Sequence, residues 1–188
     1  MKLSLGTKSL LFGSHQFILH PLMVAYGWRR HYGCWPPTWR AWVLITCHDL
    51  GYLGCETMDG PDGKHHPDRG ARLIARICAC NQPGDPPEYR GMLRGMSYNF
   101  WWKVAAGHSR SFAELAGIPI SPLMIPDKLA TALLPRWLYA LLVWLSGEWK
   151  EYVAYAVASG HDVPGDAWGY AGWIKGHWAA QFDREGRG

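Results

Sequence analysis

Residues 39–52 read Trp-Arg-Ala-Trp-Val-Leu-Ile-Thr-Cys-His-Asp-Leu-Gly-Tyr, an apolar and aromatic run that leads into a histidine and an aspartate. Thr38 is a favoured N-cap residue, so we expect a helix that begins there and runs to His48. The apolar character of the run indicates that this helix is buried. Because an unpaired buried charge is costly, His48 and Asp49 need partners. One divalent cation held by both side chains is one solution, and a His–Asp hydrogen bond inside the core is the other.

The composition is that of a globular protein with a full core. The chain has 188 residues, of which 48% are hydrophobic and 14% aromatic, which excludes a disordered protein and suffices for one compact domain. The net charge of +4 is modest; it suits an anionic substrate and gives no reason to expect nucleic-acid binding. The five cysteines are odd in number and form no C-x-x-C pair, so we expect free thiols in a reducing compartment.

The N-terminus and the most apolar run argue against export and membrane insertion. Residues 1–12 lack the hydrophobic region and cleavage site of a signal peptide. The most apolar run, residues 133–145, contains Pro135 and Arg136 and is shorter than the ~20 residues needed to cross a bilayer. We therefore expect a cytoplasmic protein without a transmembrane segment. A homo-oligomer, and peripheral membrane contact through a Trp-rich surface, are compatible with the sequence.

Helical spacing of the apolar residues predicts an all-α fold of about seven helices. Pro21 predicts a kink or a break near the middle of the first helix, and Pro67 favours a helix start after His66. No linker or repeat divides the chain, so residues 1–188 are expected to form one domain. Its motif-bearing core would be 14–131 and its Trp-rich helical part 135–188. The predicted helices cover residues 14–30, 38–48, 69–80, 88–107, 121–134, 136–159 and 168–182, with loops at 51–66 and 81–87 and an irregular segment at 111–120.

A second His-Asp dipeptide shows that the dipeptide alone is weak evidence for a site. His161-Asp162 lies within Gly-His-Asp-Val-Pro-Gly, residues 160–165, a composition that predicts a solvated turn. His48-Asp49 differs because it ends a run that must be buried. The other histidines and aspartates of the chain therefore decide whether a metal site exists.

Four of these residues occur in the order of a known metal-binding set. His20, His48-Asp49 and Asp127 resemble the ligands of the HD superfamily of phosphohydrolases, in which separate helices supply a His, a His-Asp pair and an Asp. The resemblance extends to the two-metal members of that superfamily and to short phage and bacterial HD proteins, in particular to the HD-type diadenosine tetraphosphate hydrolases. It covers about residues 14–131. The two supporting segments are His66-Pro67-Asp68-Arg69-Gly70-Ala71, similar to an H-x-x-x-G-A segment, and Gly107-His108-Ser109-Arg110, similar to a His-Ser/Thr segment.

This resemblance implies a metal-dependent phosphohydrolase that acts on a nucleotide or another small phosphorylated metabolite. His48 and Asp49 would form the catalytic pair, and a metal-bound hydroxide would attack phosphorus. Imidazole-rich ligation favours one or two divalent ions of Fe, Mn, Zn, Co or Ni over Mg or Ca. The implied metal ligands are His20, His48, Asp49, His66, His108 and Asp127, with Asp49 bridging the two ions.

Three further residues are expected to contact the substrate. Arg110 and Lys128 would neutralise phosphate charge. Tyr52 stands three residues after Asp49, where many HD proteins carry Lys or Glu, and its hydroxyl would hydrogen-bond a phosphate or leaving oxygen. Because tyrosine is a weak acid near neutral pH, the usual charged helper is missing. The replacements for it in the following loop are Glu56, Asp59 and Lys64.

Two alternatives to a hydrolase stay open. The same ligand types permit an HD-type di-iron oxygenase. A binding or regulatory module with a relic metal site would instead use the Trp-rich C-terminal helices as a partner surface. His15 is expected beside the ligands or at the surface, and His65 is expected to point away from them. The tryptophans 101, 102, 137 and 144 are expected in the core, with stacking on a nucleobase as the alternative.

Overall fold

The fold, described by a computed structural model for residues 3–79 and 90–185, is built from helices. Those residues form ten α-helices and two short 3-10 helices and contain no strand, so the all-α prediction is confirmed with more helices than expected. In chain order the helices are α1 (Leu5–Phe12), α2 (Leu19–Tyr32), α3 (Trp39–Cys47), α4 (His66–Cys78), α5 (Arg90–Ala106), α6 (Arg110–Ala116), α7 (Met124–Leu133), α8 (Arg136–Ser146), α9 (Trp149–Ala158) and α10 (Ala167–Glu185). The 3-10 helices are His48–Tyr52 and Gly63–His65.

The helix before the His-Asp pair begins where its cap predicts. The Oγ1 atom of Thr38 accepts the N–H of Ala41 at 3.2 Å, which satisfies one of the free donors of the first turn. Leu44 and Ile45 face the core with 2% and 0% exposure. The α-helix ends at Cys47, and the tighter 3-10 helix that follows turns His48 and its neighbour toward the interior.

Two glycines bring this 3-10 helix against α4. A Cβ atom on Gly51 would lie 1.9 Å from the carbonyl oxygen of His66, and one on Gly70 would lie 2.4 Å from the carbonyl oxygen of His48. Any larger side chain at either position would push the two backbones apart. The close approach places two segments that carry histidines side by side, with Pro67 in the first turn of α4 as its sequence predicts.

The apolar side chains form two main clusters. The first packs α2 to α7 around residues such as Val24, Ile45 and Ile74, each fully buried. The second, which we call the C-terminal core, joins α8, α9 and α10 around Val143 and Ala171. Its members are Leu134, Tyr139, Ala140, Val143, Ala156, Val163, Tyr170, Ala171 and Ile174.

The N-terminal part departs from the sequence prediction. Residues 5–12 form α1, which was not predicted, and the next helix begins at Leu19 instead of Ser14. Pro21 therefore lies in the first turn of α2, where its missing N–H costs nothing, and the predicted helix is interrupted before Leu19 instead of near its middle. Residues 111–120, predicted as irregular, contain most of α6, which is capped by Ser109.

The predicted helix 136–159 is two helices, α8 and α9. Gly147 takes a left-handed backbone with φ of 83° and ends α8, a position that favours glycine. The expectation of buried tryptophans also fails here, because Trp137 and Trp144 are 59% and 61% exposed. Trp101 and Trp102 do pack against the first core cluster. The predicted loop at 81–87 lies outside the described residues.

No single helix among the described residues is long and apolar enough to cross a membrane. Only α7 and α8 taken together reach the length and composition of a span, and the two are bent by 104° at the break between them.

Candidate metal centre

Six buried side chains meet where α2, α4 and α7 approach the first 3-10 helix. The first 3-10 helix supplies two of them, while α2, the start of α4, the turn after α5 and α7 supply one each. All six are less than 9% exposed. The structure thus brings together every residue that the sequence predicted as a metal ligand, namely His20, His48, Asp49, His66, His108 and Asp127.

The first ligand group contains two histidines and two aspartates. His20 Nε2 and His48 Nε2 lie 3.0 and 3.1 Å from Asp49 Oδ2. The same two nitrogens lie 3.3 and 3.4 Å from Asp127 Oδ1. One ligand atom from each residue falls within 4.8 Å of all the others. This is the arrangement of donors around a common point, and it can hold a metal ion.

The second ligand group shares Asp49 with the first. Its Oδ1 atom lies 3.7 Å from both His66 Nε2 and His108 Nε2, and those nitrogens are 3.2 Å apart. Asp49 therefore turns one oxygen to each group. A carboxylate in this position has the geometry to bridge two ions.

Backbone carbonyls fix the protonation of three of the rings. The Nδ1 atoms of His48, His66 and His108 lie 2.9, 2.8 and 2.7 Å from the carbonyl oxygens three residues earlier in the chain. A carbonyl only accepts, so each Nδ1 must donate its hydrogen. In a neutral imidazole the other nitrogen, Nε2, then carries a lone pair. All three Nε2 atoms point into the centre, which is how proteins orient metal-binding histidines.

The centre leaves ligand atoms unsatisfied unless a cation or extra protons occupy it. His20 Nε2 and His48 Nε2 are 3.3 Å apart, and two lone pairs at that distance cannot bond each other. Asp49 Oδ2 has no hydrogen-bond partner among the described residues, although two imidazole nitrogens lie close to it. Because a buried orphaned polar atom is costly, these observations fit a divalent cation. The mixture of imidazole and carboxylate donors suits a transition metal.

The carboxylates dominate the electrostatics of the first group. Burial lowers the pKa of His48, but Asp49 and Asp127 outweigh it and raise the pKa to about 10. Burial raises the pKa of both carboxyl groups, but the nearby histidines, and Lys128 in the case of Asp127, hold it well below the usual value. Both carboxylates are therefore anionic and ready to bind a cation. His66 differs, because burial and His108 hold its pKa well below normal and keep it neutral.

Tyr52 packs against His66 of the second ligand group. Its ring stacks on His66 at 3.7 Å with an interplanar angle of 17°. The side chain is only 6% exposed, and burial raises its pKa well above 10, so it stays a neutral phenol. His15 completes this side of the site, 5.0 Å from the Tyr52 ring and 5.4 Å from the His20 ring. Burial lowers the pKa of His15 to about 4, so it is neutral as well.

A cavity of about 290 Å³ opens beside the centre and is lined by His20 and Asp127. Lys128 reaches into it and donates to Asp127 Oδ2 at 2.9 Å. Burial lowers the pKa of this lysine, but Asp127 outweighs the effect, so the amine stays charged. Arg110 has an exposed side chain at the start of α6 and is not among the described lining residues of the cavity. Its contact with a phosphate stays a prediction.

Of the three acidic or basic residues proposed in the loop after Tyr52, only one lines the cavity. Glu56 and Lys64 are exposed, whereas Asp59 is partly buried and faces the cavity. Burial, followed by the nearby Glu151 carboxylate, raises the pKa of Asp59 to about 6. A carboxyl group with this pKa exchanges a proton readily near neutral pH.

The far wall of the cavity comes from the C-terminal helices, which the sequence motifs did not cover. Tyr152 of α9 and Tyr170, Trp173 and His177 of α10 line it. The last three are spaced i, i+3 and i+7, which places them on one face of a helix. That spacing was the available signal, but an aromatic stripe is equally typical of a core. His161, predicted to lie in a solvated turn, is exposed and also contacts Trp173 at the cavity edge.

Fold and site together define an all-α protein with a buried His/Asp centre beside an aromatic cavity. In comparisons with protein families, curated proteins and solved structures, the chain matches no family model, no curated protein and no solved structure.

Proposed function

We propose that this protein is a metal-dependent phosphohydrolase that acts on a nucleotide or another small phosphorylated metabolite. The observation that carries the proposal is the pair of buried ligand groups that share Asp49, the first of which borders, through His20 and Asp127, a cavity that Lys128 also lines. Two divalent ions would outweigh the two carboxylates of Asp49 and Asp127. The centre would then attract an anion, and phosphate is the anion for which two-metal sites are typically built.

The residues around the centre suit the hydrolysis of a phosphate ester. Divalent ions in such a site polarise a phosphoryl oxygen and lower the pKa of a bound water. Lys128 would neutralise a phosphate oxygen where the cavity meets the metal centre. Tyr52 holds the His66 ring in place by stacking, so its role is to position a ligand more than to transfer a proton.

Asp59 is the group that we assign to protonate the leaving oxygen. Hydrolysis forms a bond between phosphorus and a water oxygen, breaks the bond to the leaving oxygen and requires a proton on that oxygen. Asp59 lines the same cavity, and its raised pKa of about 6 lets the carboxyl group carry that proton near neutral pH. The attacking water loses a proton to solvent as its oxygen bonds to phosphorus, and Asp59 regains a proton from solvent.

The direct test is a hydrolysis screen of purified protein with nucleotides and small phosphate monoesters in the presence of Mn²⁺, Fe²⁺, Co²⁺ or Ni²⁺. We expect phosphate release that depends on the added ion. Asp49→Ala removes the shared ligand and should reduce the rate by about 1,000-fold or more, because charge stabilisation by the metal ion is worth several kcal/mol. Asp162→Ala is the matched control, since Asp162 is exposed and belongs to the other His-Asp dipeptide.

Two results would contradict the proposal. One is full activity in Asp49→Ala, which would place the chemistry elsewhere. The other is a protein that binds iron and consumes oxygen with an organic substrate while it hydrolyses no phosphate ester, which would favour the di-iron oxygenase instead.

A further inference from the structure

The cavity beside the metal centre has two chemically different ends. At one end lie the ligands His20 and Asp127 together with Lys128. At the other end α9 and α10 present a series of rings. The motif-bearing residues 14–131 build the first end, and α9 and α10 build the second.

The rings of the far end pack on one another and form a continuous wall. Tyr152 and Tyr170 are stacked with centroids 5.8 Å apart, Tyr170 and Trp173 are 5.9 Å apart, and Trp173 stacks on His177 at 5.1 Å. Trp173 and His177 are only partly buried, so their remaining surface faces the cavity. A wall whose rings hold each other in place loses little freedom when a ligand binds.

Lys128 connects the two ends. Its ammonium group donates to Asp127 Oδ2 and also lies 5.7 Å from the ring centroid of Trp178, a cation–π distance. The lysine is thereby held at the boundary between the metal centre and the ring wall. A phosphate beside Lys128 would place whatever it is esterified to against the rings.

The charge and the size of the cavity restrict which group can be esterified to that phosphate. The described lining residues from α9 and α10 include no carboxylate, and Asp59, the one carboxyl group among the described lining residues besides the ligand Asp127, is already assigned to the leaving oxygen. A cationic group would be expected to have a carboxylate partner of its own. Aromatic walls of this kind favour flat, neutral rings, which stack on them. The volume of about 290 Å³ lies at the lower end of the range for small-molecule pockets, which suits one ring system and one phosphate.

We propose that this cavity is a substrate pocket for a small phosphate monoester that carries one planar aromatic or heteroaromatic ring, with the phosphate beside Lys128 and the ring against the wall formed by α9 and α10. The phosphate end of this assignment rests on the proposed hydrolase function. The ring end rests on the wall itself and is tested separately by binding.

The test compares two non-hydrolysable ligands by isothermal titration calorimetry of the purified, metal-loaded protein. Benzylphosphonate carries a flat ring, and cyclohexylmethylphosphonate carries a saturated ring of the same size. We expect benzylphosphonate to bind about 3- to 10-fold more tightly, which is the range for an aromatic contact beyond simple burial. Equal affinities, or tighter binding of a phosphonate with a trimethylammonium group, would overturn the proposal.

Variants locate the effect in the wall. Trp173→Leu should reduce the preference for benzylphosphonate to less than about twofold and leave cyclohexylmethylphosphonate binding unchanged. Tyr155→Ser is a second variant that keeps the test valid if Trp173→Leu fails to fold, since Tyr155 lines the cavity and is 50% exposed. Trp144→Leu is the matched control, because Trp144 is 61% exposed and lies on a different groove. An equal loss of preference in Trp144→Leu would contradict the assignment.

Hydrolysis distinguishes this inference from the proposed function. If benzyl phosphate and cyclohexylmethyl phosphate are hydrolysed with equal kcat/KM, the hydrolase stands and the ring pocket is wrong. If neither ester is hydrolysed but the benzylphosphonate preference persists and depends on Trp173, the ring pocket stands and the hydrolase is wrong.

Discussion

The glycines next to the ligands control how closely the ligand-bearing segments approach. Gly70 lies on α4, and an added Cβ atom would meet the carbonyl oxygen of His48 at 2.4 Å. Gly95 lies on α5 with nothing within 4 Å of an added Cβ atom. Replacing glycine by alanine should therefore change the free energy of unfolding in opposite directions at the two positions.

We expect Gly70→Ala to lower the free energy of unfolding by about 2–3 kcal/mol, because the backbone of His48 must move. Gly95→Ala, the control, should raise it by about 0.5–1 kcal/mol, since alanine is the better helix former. Urea denaturation measures both. A Gly70→Ala protein as stable as the parent would show that the close contact between the 3-10 helix and α4 is wrong.

Asp59 connects stability with activity through its raised pKa. Burial and the Glu151 carboxylate raise this pKa to about 6, while Lys128 and Lys64 act against them. The folded protein thus holds the proton more tightly than the unfolded chain does. The charged form is penalised in the fold, so the cost of Asp59 is absent below about pH 4 and grows as the pH rises to about 6.

Asp59→Asn removes this penalty, and at pH 7.5 we expect it to raise the free energy of unfolding by about 1–2 kcal/mol. The corresponding rise in Tm is about 2–8 °C. At pH 4 both the rise in Tm and the gain in free energy of unfolding should vanish. The same variant should lose about 100-fold in phosphate release because it cannot donate the proton. Thermal denaturation at both pH values checks the sign, and a variant that is less stable at pH 7.5 would contradict it.

At the scale of elements, the sequence predicted the helices that carry a clear local signal. Thr38 and Pro67 mark helix starts, and α3 and α4 begin there. The break at Gly147 was missed because the apolar spacing of α8 continues into α9, so periodicity alone does not show that the direction changes. α1 was missed because it is eight residues long, too short for periodicity to distinguish from a loop.

The connection between α9 and the loop after Tyr52 depends on one carboxylate. Glu151 accepts the backbone N–H groups of Met58, Asp59 and Gly60 at 2.9, 2.8 and 3.1 Å. No local pattern in the sequence links residues that are more than ninety positions apart. This contact fixes the loop that carries Asp59 against the C-terminal helices.

We expect Glu151→Ala to lower the free energy of unfolding by about 2–3 kcal/mol, because three buried or partly buried donors lose a charged acceptor. Hydrogen exchange at residues 58–60 should become faster in the same variant. Glu114→Ala, an exposed position on α6, is the control and should change stability by less than about 0.5 kcal/mol. Unchanged exchange at residues 58–60 in Glu151→Ala would show that the carboxylate does not hold this loop.

At the scale of the whole molecule, the metal centre collects ligands that are far apart in the chain. The resemblance to the ligand segments of HD proteins predicted which six residues meet, because each ligand lies in its own recognisable local segment. These local segments do not predict the cavity beside the metal centre. Its far wall depends on how α9 and α10 pack on α7 and α8, and that packing is set by the C-terminal core rather than by any motif.

The central claim is that the six buried side chains form one centre for two divalent ions that share Asp49. Equilibrium dialysis of the chelator-treated protein against Co²⁺, followed by elemental analysis, measures it most directly. We predict about two ions per chain for the parent protein, about one for His66→Ala, and less than one for Asp49→Ala. A parent protein that binds no Co²⁺ beyond the level of Asp49→Ala would contradict the account.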